Sequence, residues 1–299
     1  MQEKATTMDY MAQMTSLQKK HDFFIGFDSD GCVFDSMEIK QKECFCPCFI
    51  KHFGLQAASK YAREIWEFVN LYSKTRGCNR FLAIQRAIAL CKARKEITAR
   101  GLNIADTSAL DTWIKEESKL GNPALTAKVA ASANEELKKL LAWSVEVNER
   151  IADMVYGIPP FPGVKDVLDS CKGKVDMIVV SQTPLEALAR EWKENKIDNY
   201  LDLICGQEHG TKTEHLKFCA VGKYDADKIL MIGDAPGDQK AAQANGVLFF
   251  PIIPGREEEC WSKLNSEGLN HFFNGTYSGA YQNSLVAEFD KALPENPSW

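Results

Sequence analysis

The sequence predicts an α/β protein: a parallel sheet with helices on both faces, interrupted by an inserted all-helical block. Three observations lead there. Residues Phe23 to Phe27 form a short apolar run that ends on Asp28-Ser-Asp30, as a strand buried on both faces does when polar groups stand at its carboxyl end. From Val164 to Ile253 helical and strand patterns alternate, which argues for βαβ units and parallel pairing. Between these stretches, residues 36–158 carry apolar side chains at helical spacing.

The chain has 299 residues, 45% of them hydrophobic, enough for a core domain with an insertion. Its net charge is −5, with no dense Lys/Arg block, which argues against a nucleic-acid partner and for a small substrate. No apolar run approaches the ~18 residues of a membrane span, and the first twenty residues lack the apolar segment of a signal peptide. The expectation is a cytoplasmic protein, monomer or homodimer. Ten cysteines mostly fall in apolar patterns, as buried thiols do in a reducing compartment. The group Cys44-Phe-Cys46-Pro-Cys48 stands apart, but spacings of two on one helix do not aim three thiolates at one atom, so a zinc site is disfavoured.

Taken in order, residues 1–21 read as a loosely held lead-in or a helix lying on the surface. After the opening strand, Ser36 to Phe53 reads as helical, with Pro47 either starting a new helix or kinking the first. Further helical patterns cover Ala57 to Ser73, Asn79 to Ala93, Thr107 to Leu120 and Asn134 to Val155. Gly77 centres the turn Lys74 to Asn79, and Gly121-Asn-Pro123 breaks the pattern later. The Pro-rich stretch Gly157 to Gly163 suits a stiff connection between domains. Beyond it come a helix from Val164, a strand over Val175 to Val180, and a helix over Pro184 to Asn195. A short strand ends at Cys205, a helix follows from Thr213, and a strand runs from Lys228 to Ile232. A helix from Gln239 and a strand from Val247 complete the alternation. The first strand must join this sheet, since one strand cannot bury both faces alone. The expected core therefore spans residues 1–35 and 159–299, with the helical block, 36–158, inserted. Two weak helices around Trp261 and Val286 are expected to cover the sheet.

Polar clusters follow four of the predicted strands, the edge at which open α/β sheets bind ligands. Asp28 and Asp30 follow the first; an acidic turn is the alternative reading, and an EF-hand is excluded because Cys32 lacks the oxygen ligand. Ser181-Gln182-Thr183 follows the second, where a serine can bind an anion with a helix start or merely cap it. Lys212, past Cys205, can supply fixed positive charge or be a solvated lysine. Gly233-Asp234, with Asp238 four residues on, puts two more carboxylates at a strand end, where a cation or a lysine must offset their repulsion; a capping aspartate is the alternative. Converging on one crevice, these groups would suit phosphoryl transfer: a nucleophile, charge neutralisation, oxygen donors and a proton carrier.

With Asp28 to Ser36, Val179-Val-Ser181, Lys212 and Gly233-Asp234 to Asp238 in these places, the chain resembles the haloacid dehalogenase (HAD) superfamily. Its nearest likeness is to the phosphoglycolate-phosphatase-like branch with a helical cap. The resemblance implies a Rossmann-like core and a Mg²⁺-dependent phosphatase acting on a small phosphorylated metabolite. It makes Asp28 the nucleophile that forms an aspartyl phosphate, Asp30 the acid–base, Ser181 a phosphoryl-oxygen donor and Lys212 the neutralising cation. It assigns Mg²⁺ to Asp28, the backbone carbonyl of Asp30 and Asp234, with Asp238 positioning Lys212 or a metal-bound water. Asp30 favours phosphoryl chemistry over carbon–halogen cleavage, for which the superfamily lacks an acid at that position. Cys32, Gln182 and Thr213 depart from the residues usual in close relatives, which leaves the subfamily open.

Caps of this family close over the site and help to choose the substrate. The turn Lys74-Thr-Arg76-Gly-Cys-Asn-Arg80 offers two arginines for an anionic substrate group, or these are solvated helix ends. Gln182 is a further candidate substrate contact, and Lys51 and His52 are weaker ones. A sugar-phosphate mutase, a phosphonatase, or a metal-binding relative without turnover would share most of these features.

Overall fold

A computed structural model of the chain describes residues 10–299. Of the expected lead-in over residues 1–21, residues 1–9 lie outside the described residues. Residues 10–16 form a helix, α1.

The opening strand is the centre of the fold. β1 (Phe23–Phe27), β2 (Val175–Val180), β3 (Leu203–Cys205), β4 (Ile229–Gly233) and β5 (Leu248–Pro251) form one sheet in the order β3-β2-β1-β4-β5. Every pairing is parallel. Phe24, Ile25 and Phe27 are wholly buried because helices cover both faces. The register sets Phe27 opposite Val179 on one side and Ile232 on the other. Residues that follow β1, β2 and β4 therefore emerge at one edge.

The chain divides into two compact units. The α/β unit comprises the chain up to Ser36 and Gly157–Leu293; the helical unit comprises Met37–Tyr156 and Pro294–Trp299. The last six residues thus group with the helices, whereas the sequence led us to expect the whole tail on the sheet. In the helical unit Lys74 N–H donates to the Pro294 carbonyl (3.2 Å), and Trp299 lies against Phe68 (ring centroids 5.4 Å) and the Arg94 guanidinium (4.4 Å).

α2 (Ser36–Ile39) runs through a wider, π-type turn (Lys40–Phe45) into α3 (Cys46–His52). Pro47 sits in the first turn of α3, and the widened turn before it absorbs the helix hydrogen bond that proline cannot donate. α4 (Ser59–Asn70), α5 (Arg80–Ala93), α6 (Lys95–Thr98) and α7 (Ser108–Glu116) follow. α8 (Asn122–Ser132) was not expected: Gly121-Asn-Pro123 reads as a breaker, but a proline in the first turn opens a helix as readily as it ends one. α9 (Glu135–Met154) is capped by Asn134, whose side chain accepts from Leu137 N–H. Trp66 is the centre of this unit's core, with Phe49 at 4.9 Å and Trp143 at 6.0 Å between ring centroids. Cys44, Cys46 and Cys48 are buried free thiols, and burial pushes Cys46 up to about 12 and Cys48 to about 11.

In the α/β unit the strands alternate with α10 (Val164–Cys171), α11 (Leu185–Glu194), α12 (Lys212–Cys219) and α13 (Pro236–Asn245). α14 (Glu257–Lys263), α15 (Leu269–Phe273) and α16 (Ala280–Ala292) close the unit. α14 brings Trp261, whose indole N–H donates to the Cys32 carbonyl (2.9 Å) beneath the turn after β1. α16 packs on β5, with Phe289 against Phe249 (5.8 Å). Among the described residues, no helix is long and apolar enough to cross a membrane.

Candidate active site

Asp28 leaves β1 with its amide bonded to the Ile232 carbonyl (2.9 Å), so the neighbouring strand still fixes its backbone. Its carboxylate is buried, and Oδ1 accepts from Ser29 N–H (2.8 Å). Oδ2 lies 2.8 Å from Lys212 Nζ. The same ammonium lies 2.6 Å from Asp238 Oδ1. Asp28, Asp234 and Asp238 each bring a carboxylate oxygen within 4.8 Å of the others, all three side chains being buried.

β4 and the start of α13 explain how Asp238 reaches this point. Asp238 Oδ2 accepts from Ala235 N–H (3.0 Å), which folds the turn back on itself. Gly233 is required there: a Cβ would sit 2.3 Å from the Asp238 carboxyl carbon. Both Asp238 oxygens are thereby engaged, one on the turn and one on Lys212, which makes Asp238 the residue that holds the lysine.

Three buried carboxylates around one ammonium carry net negative charge that water screens little. Burial, then Asp238 and Asp234, push the Asp28 carboxyl well above the usual range, against the pull of Lys212. Burial raises Asp238 too, opposed chiefly by Lys212. For Lys212 burial acts to lower the pKa, but Asp238 and Asp28 outweigh it and hold the ammonium charged. A hard divalent cation would relieve what one lysine does not, and an all-carboxylate donor set of this size fits magnesium. The residues present therefore fit the metal that the resemblance implies.

Asp30 is set apart from this group. Its Oδ2 accepts from Thr183 Oγ1 (2.6 Å), and its Oδ1 from Ser36 Oγ. Neither hydroxyl carries a sequence signal as Asp30's partner: Thr183 lies at a helix start and Ser36 at the first position of α2. Ser181 is buried, with its amide on the Cys205 carbonyl (3.0 Å) and its Oγ accepting from Thr183 N–H (3.2 Å).

Gln182 has a different place from the one expected. Its amide donates to the Gly210 carbonyl (2.8 Å) and to Ser181 O (3.3 Å), so it ties the loop after β2 to the loop that leads into Lys212. Its donors are spent on backbone, which makes it a positioning residue. Gly210 itself has φ +105°, a conformation that only glycine takes readily. Thr211 then caps α12 by accepting from Glu214 N–H (3.2 Å), and Lys212 is its first residue.

The two arginines of the 74–80 turn lie in the helical unit. Arg76 is buried there, and its Nη1 donates to the Leu71 carbonyl (3.0 Å). Arg80 donates to Ser144 Oγ (3.0 Å) and Asn148 Oδ1 (2.8 Å) and lies over the Phe45 ring (5.0 Å). Burial lowers its pKa to about 10. Arg80 thus joins α5 to α9, and the expectation of a substrate contact there is replaced by a packing role. Lys51 and His52 both bond Glu146 Oε2 (2.7 Å each) on α9.

Residues 104–252 match the haloacid dehalogenase-like hydrolase family. No curated protein matches the sequence. Among solved structures, similarity extends to a hydrolase from Pseudomonas syringae at 16% identity, covering 84% of this chain and 98% of that one, with a TM-score of 0.45. A HAD-superfamily hydrolase, subfamily IA, from Geobacter sulfurreducens is 15% identical over 78% of this chain and 89% of its own (TM-score 0.42). A predicted phosphatase from Clostridium acetobutylicum is 15% identical over 84% of this chain and 100% of its own (TM-score 0.44).

Proposed function

From a chain that carries a haloacid dehalogenase-like hydrolase domain, we propose a Mg²⁺-dependent phosphatase that hydrolyses a small phosphorylated metabolite through an aspartyl phosphate on Asp28. The observation that carries this reading is the buried group of Asp28, Asp234 and Asp238 around Lys212 at the carboxyl edge of the sheet.

Asp28 is the carboxylate whose Oδ2 is held on a lysine at the end of the central strand. In the first step an oxygen of Asp28 forms a bond to phosphorus as the bond to the leaving oxygen breaks, and Asp30 gives that oxygen its proton. In the second, Asp30 takes a proton from water as the water oxygen attacks phosphorus, and the bond to Asp28 breaks. Thr183 and Ser36 keep the Asp30 carboxyl oriented for both transfers. Lys212 neutralises charge between nucleophile and phosphoryl group, and Ser181 donates to a phosphoryl oxygen. Bound by Asp28, Asp234 and the Asp30 carbonyl, magnesium would supply charge neutralisation at the phosphoryl oxygens. Arg76, like Arg80, is assigned to packing within the helical unit, since it is buried there with its Nη1 on the Leu71 carbonyl.

The test is phosphate release from a panel of phosphorylated metabolites and one aryl phosphate, with Mg²⁺ and with EDTA. Metal-dependent release is expected. No release from any compound, by protein shown to bind Mg²⁺, would overturn the reading in favour of a mutase, a phosphonatase or a non-catalytic relative.

A further inference from the structure

The N-terminal helix is held by residues on either side of α12, the helix that begins with Lys212. At one end, the Tyr10 ring packs on the His209 ring (centroids 4.7 Å) and Gln13 Oε1 is 3.4 Å from His209 Nε2. At the other, Lys223 Nζ donates to the carbonyls of Met14, Thr15 and Leu17 (3.2, 3.1 and 3.0 Å). Those carbonyls come from the last turn of α1 and the residues after it, where a helix leaves acceptors unpaired and a cation is favoured. Met14 is buried in the core of the unit. The segment continues to Lys20 and His21, whose amides both donate to Asp176 Oδ2 (2.8 and 3.0 Å), an acid buried in β2. Tyr224 Oη donates to the same oxygen (2.6 Å). From residue 10 on, the lead-in is therefore fastened before and after α12 and again at the sheet.

His209 is the hinge of this arrangement. It is buried, and its Nδ1 accepts from Gly206 N–H (3.2 Å), so the ring proton is on Nε2 and points at Gln13. Only Gly210 and Thr211 separate it from Lys212. The turn that holds these residues has no strand ladder of its own; it is fixed by Gln182 on Gly210 O, by Gln207 N–H on the Thr183 carbonyl (3.1 Å), by Glu208 on Leu185 N–H (2.9 Å) and by His209. Of these anchors, His209 is the one that touches α1.

We propose that α1 is a strap that positions Lys212: Tyr10 and Gln13 hold His209, and His209 sets where the start of α12 presents the ammonium between Asp28 and Asp238. The inference rests on the assignment of Lys212 to the phosphate site. Tyr10, Gln13 and His209 touch no reacting atom and act only through the lysine.

The experiment uses the full chain and two readouts. One is acetylation of Lys212 by acetic anhydride, measured by mass spectrometry against the exposed Lys172; the other is kcat and KM for phosphate release. In Tyr10→Ala with Gln13→Ala, Lys212 labelling is expected to rise several-fold, with kcat down about ten-fold and KM within about two-fold. Tyr10→Phe keeps the ring contact and is expected to match the parent in both. A double variant that loses thermal stability while Lys212 labelling and kcat stay at parent values would overturn the proposal and leave α1 a purely structural element. Should the parent release no phosphate, the phosphatase reading fails by itself, and the labelling comparison still decides whether α1 positions Lys212.

Discussion

Lys212 Nζ lies 2.8 Å from Asp28 Oδ2, in a group that holds two further, buried carboxylates. Removing the cation leaves acids close together with no compensating charge. Lys212→Met is therefore expected to abolish measurable phosphate release and to cost about 3 kcal/mol of stability in metal-free buffer. Added Mg²⁺ should recover part of that stability, because it supplies the missing positive charge. Denaturant unfolding with and without Mg²⁺ checks this; a variant as stable as the parent without metal would contradict it.

Thr183 and Ser36 hold the two oxygens of Asp30. Thr183→Val removes one hydroxyl and keeps the shape of the side chain. Its kcat is expected to fall at least about ten-fold with KM little changed, since the lost contact serves proton transfer and not ground-state binding. Thr183→Ser should restore most of the rate. Equal losses in the serine and valine variants would remove the orienting role.

The two arginines of the 74–80 turn should both act on stability. Arg80→Ala breaks bonds to Ser144 and Asn148 and a contact with Phe45, so a loss of about 2 kcal/mol with unchanged KM is expected. Arg76→Ala removes a buried side chain and leaves the Leu71 carbonyl without its donor, so it too should lower stability with KM unchanged. A raised KM at parent stability in either variant would contradict the packing role.

Acid should destabilise the α/β unit through His215, wholly buried in α12. Burial, followed by His209 and Lys212, lowers its pKa to about 3. The unfolded chain takes up its proton near 6.5, so between these values the unfolded state binds more protons and stability falls as pH falls. The slope from this residue approaches about 1.4 kcal/mol per pH unit. In His215→Leu the decline between pH 6.5 and pH 4 should be shallower, as read by denaturant unfolding at each pH; an identical slope would contradict the assignment.

Much of this architecture was legible in the sequence because its signals are local. Phe23 to Phe27, Val175 to Val180 and Ile229 to Gly233 are short apolar runs that end on polar residues, and their parallel pairing follows from the helices between them. What was missed depends on partners distant in sequence. Thr183 finds Asp30, Gln182 finds Gly210, and Tyr10 finds His209 only after the sheet has assembled. α8 was missed for a local reason, since Gly121-Asn-Pro123 signals a stop and a start alike. Pro294 to Trp299 carry no periodic pattern, and their place on the helical unit comes from single contacts such as Trp299 with Arg94.

The most direct test of the account is to trap the phosphorylated protein. The parent, mixed with its best substrate and Mg²⁺, is quenched in acid and reduced with borohydride, which converts an aspartyl phosphate to homoserine; peptide mass spectrometry then locates the change. The account predicts homoserine at position 28, and none there in Asp28→Asn. Steady phosphate release with Asp28 unmodified in the quenched protein, or release undiminished in Asp28→Asn, would contradict it.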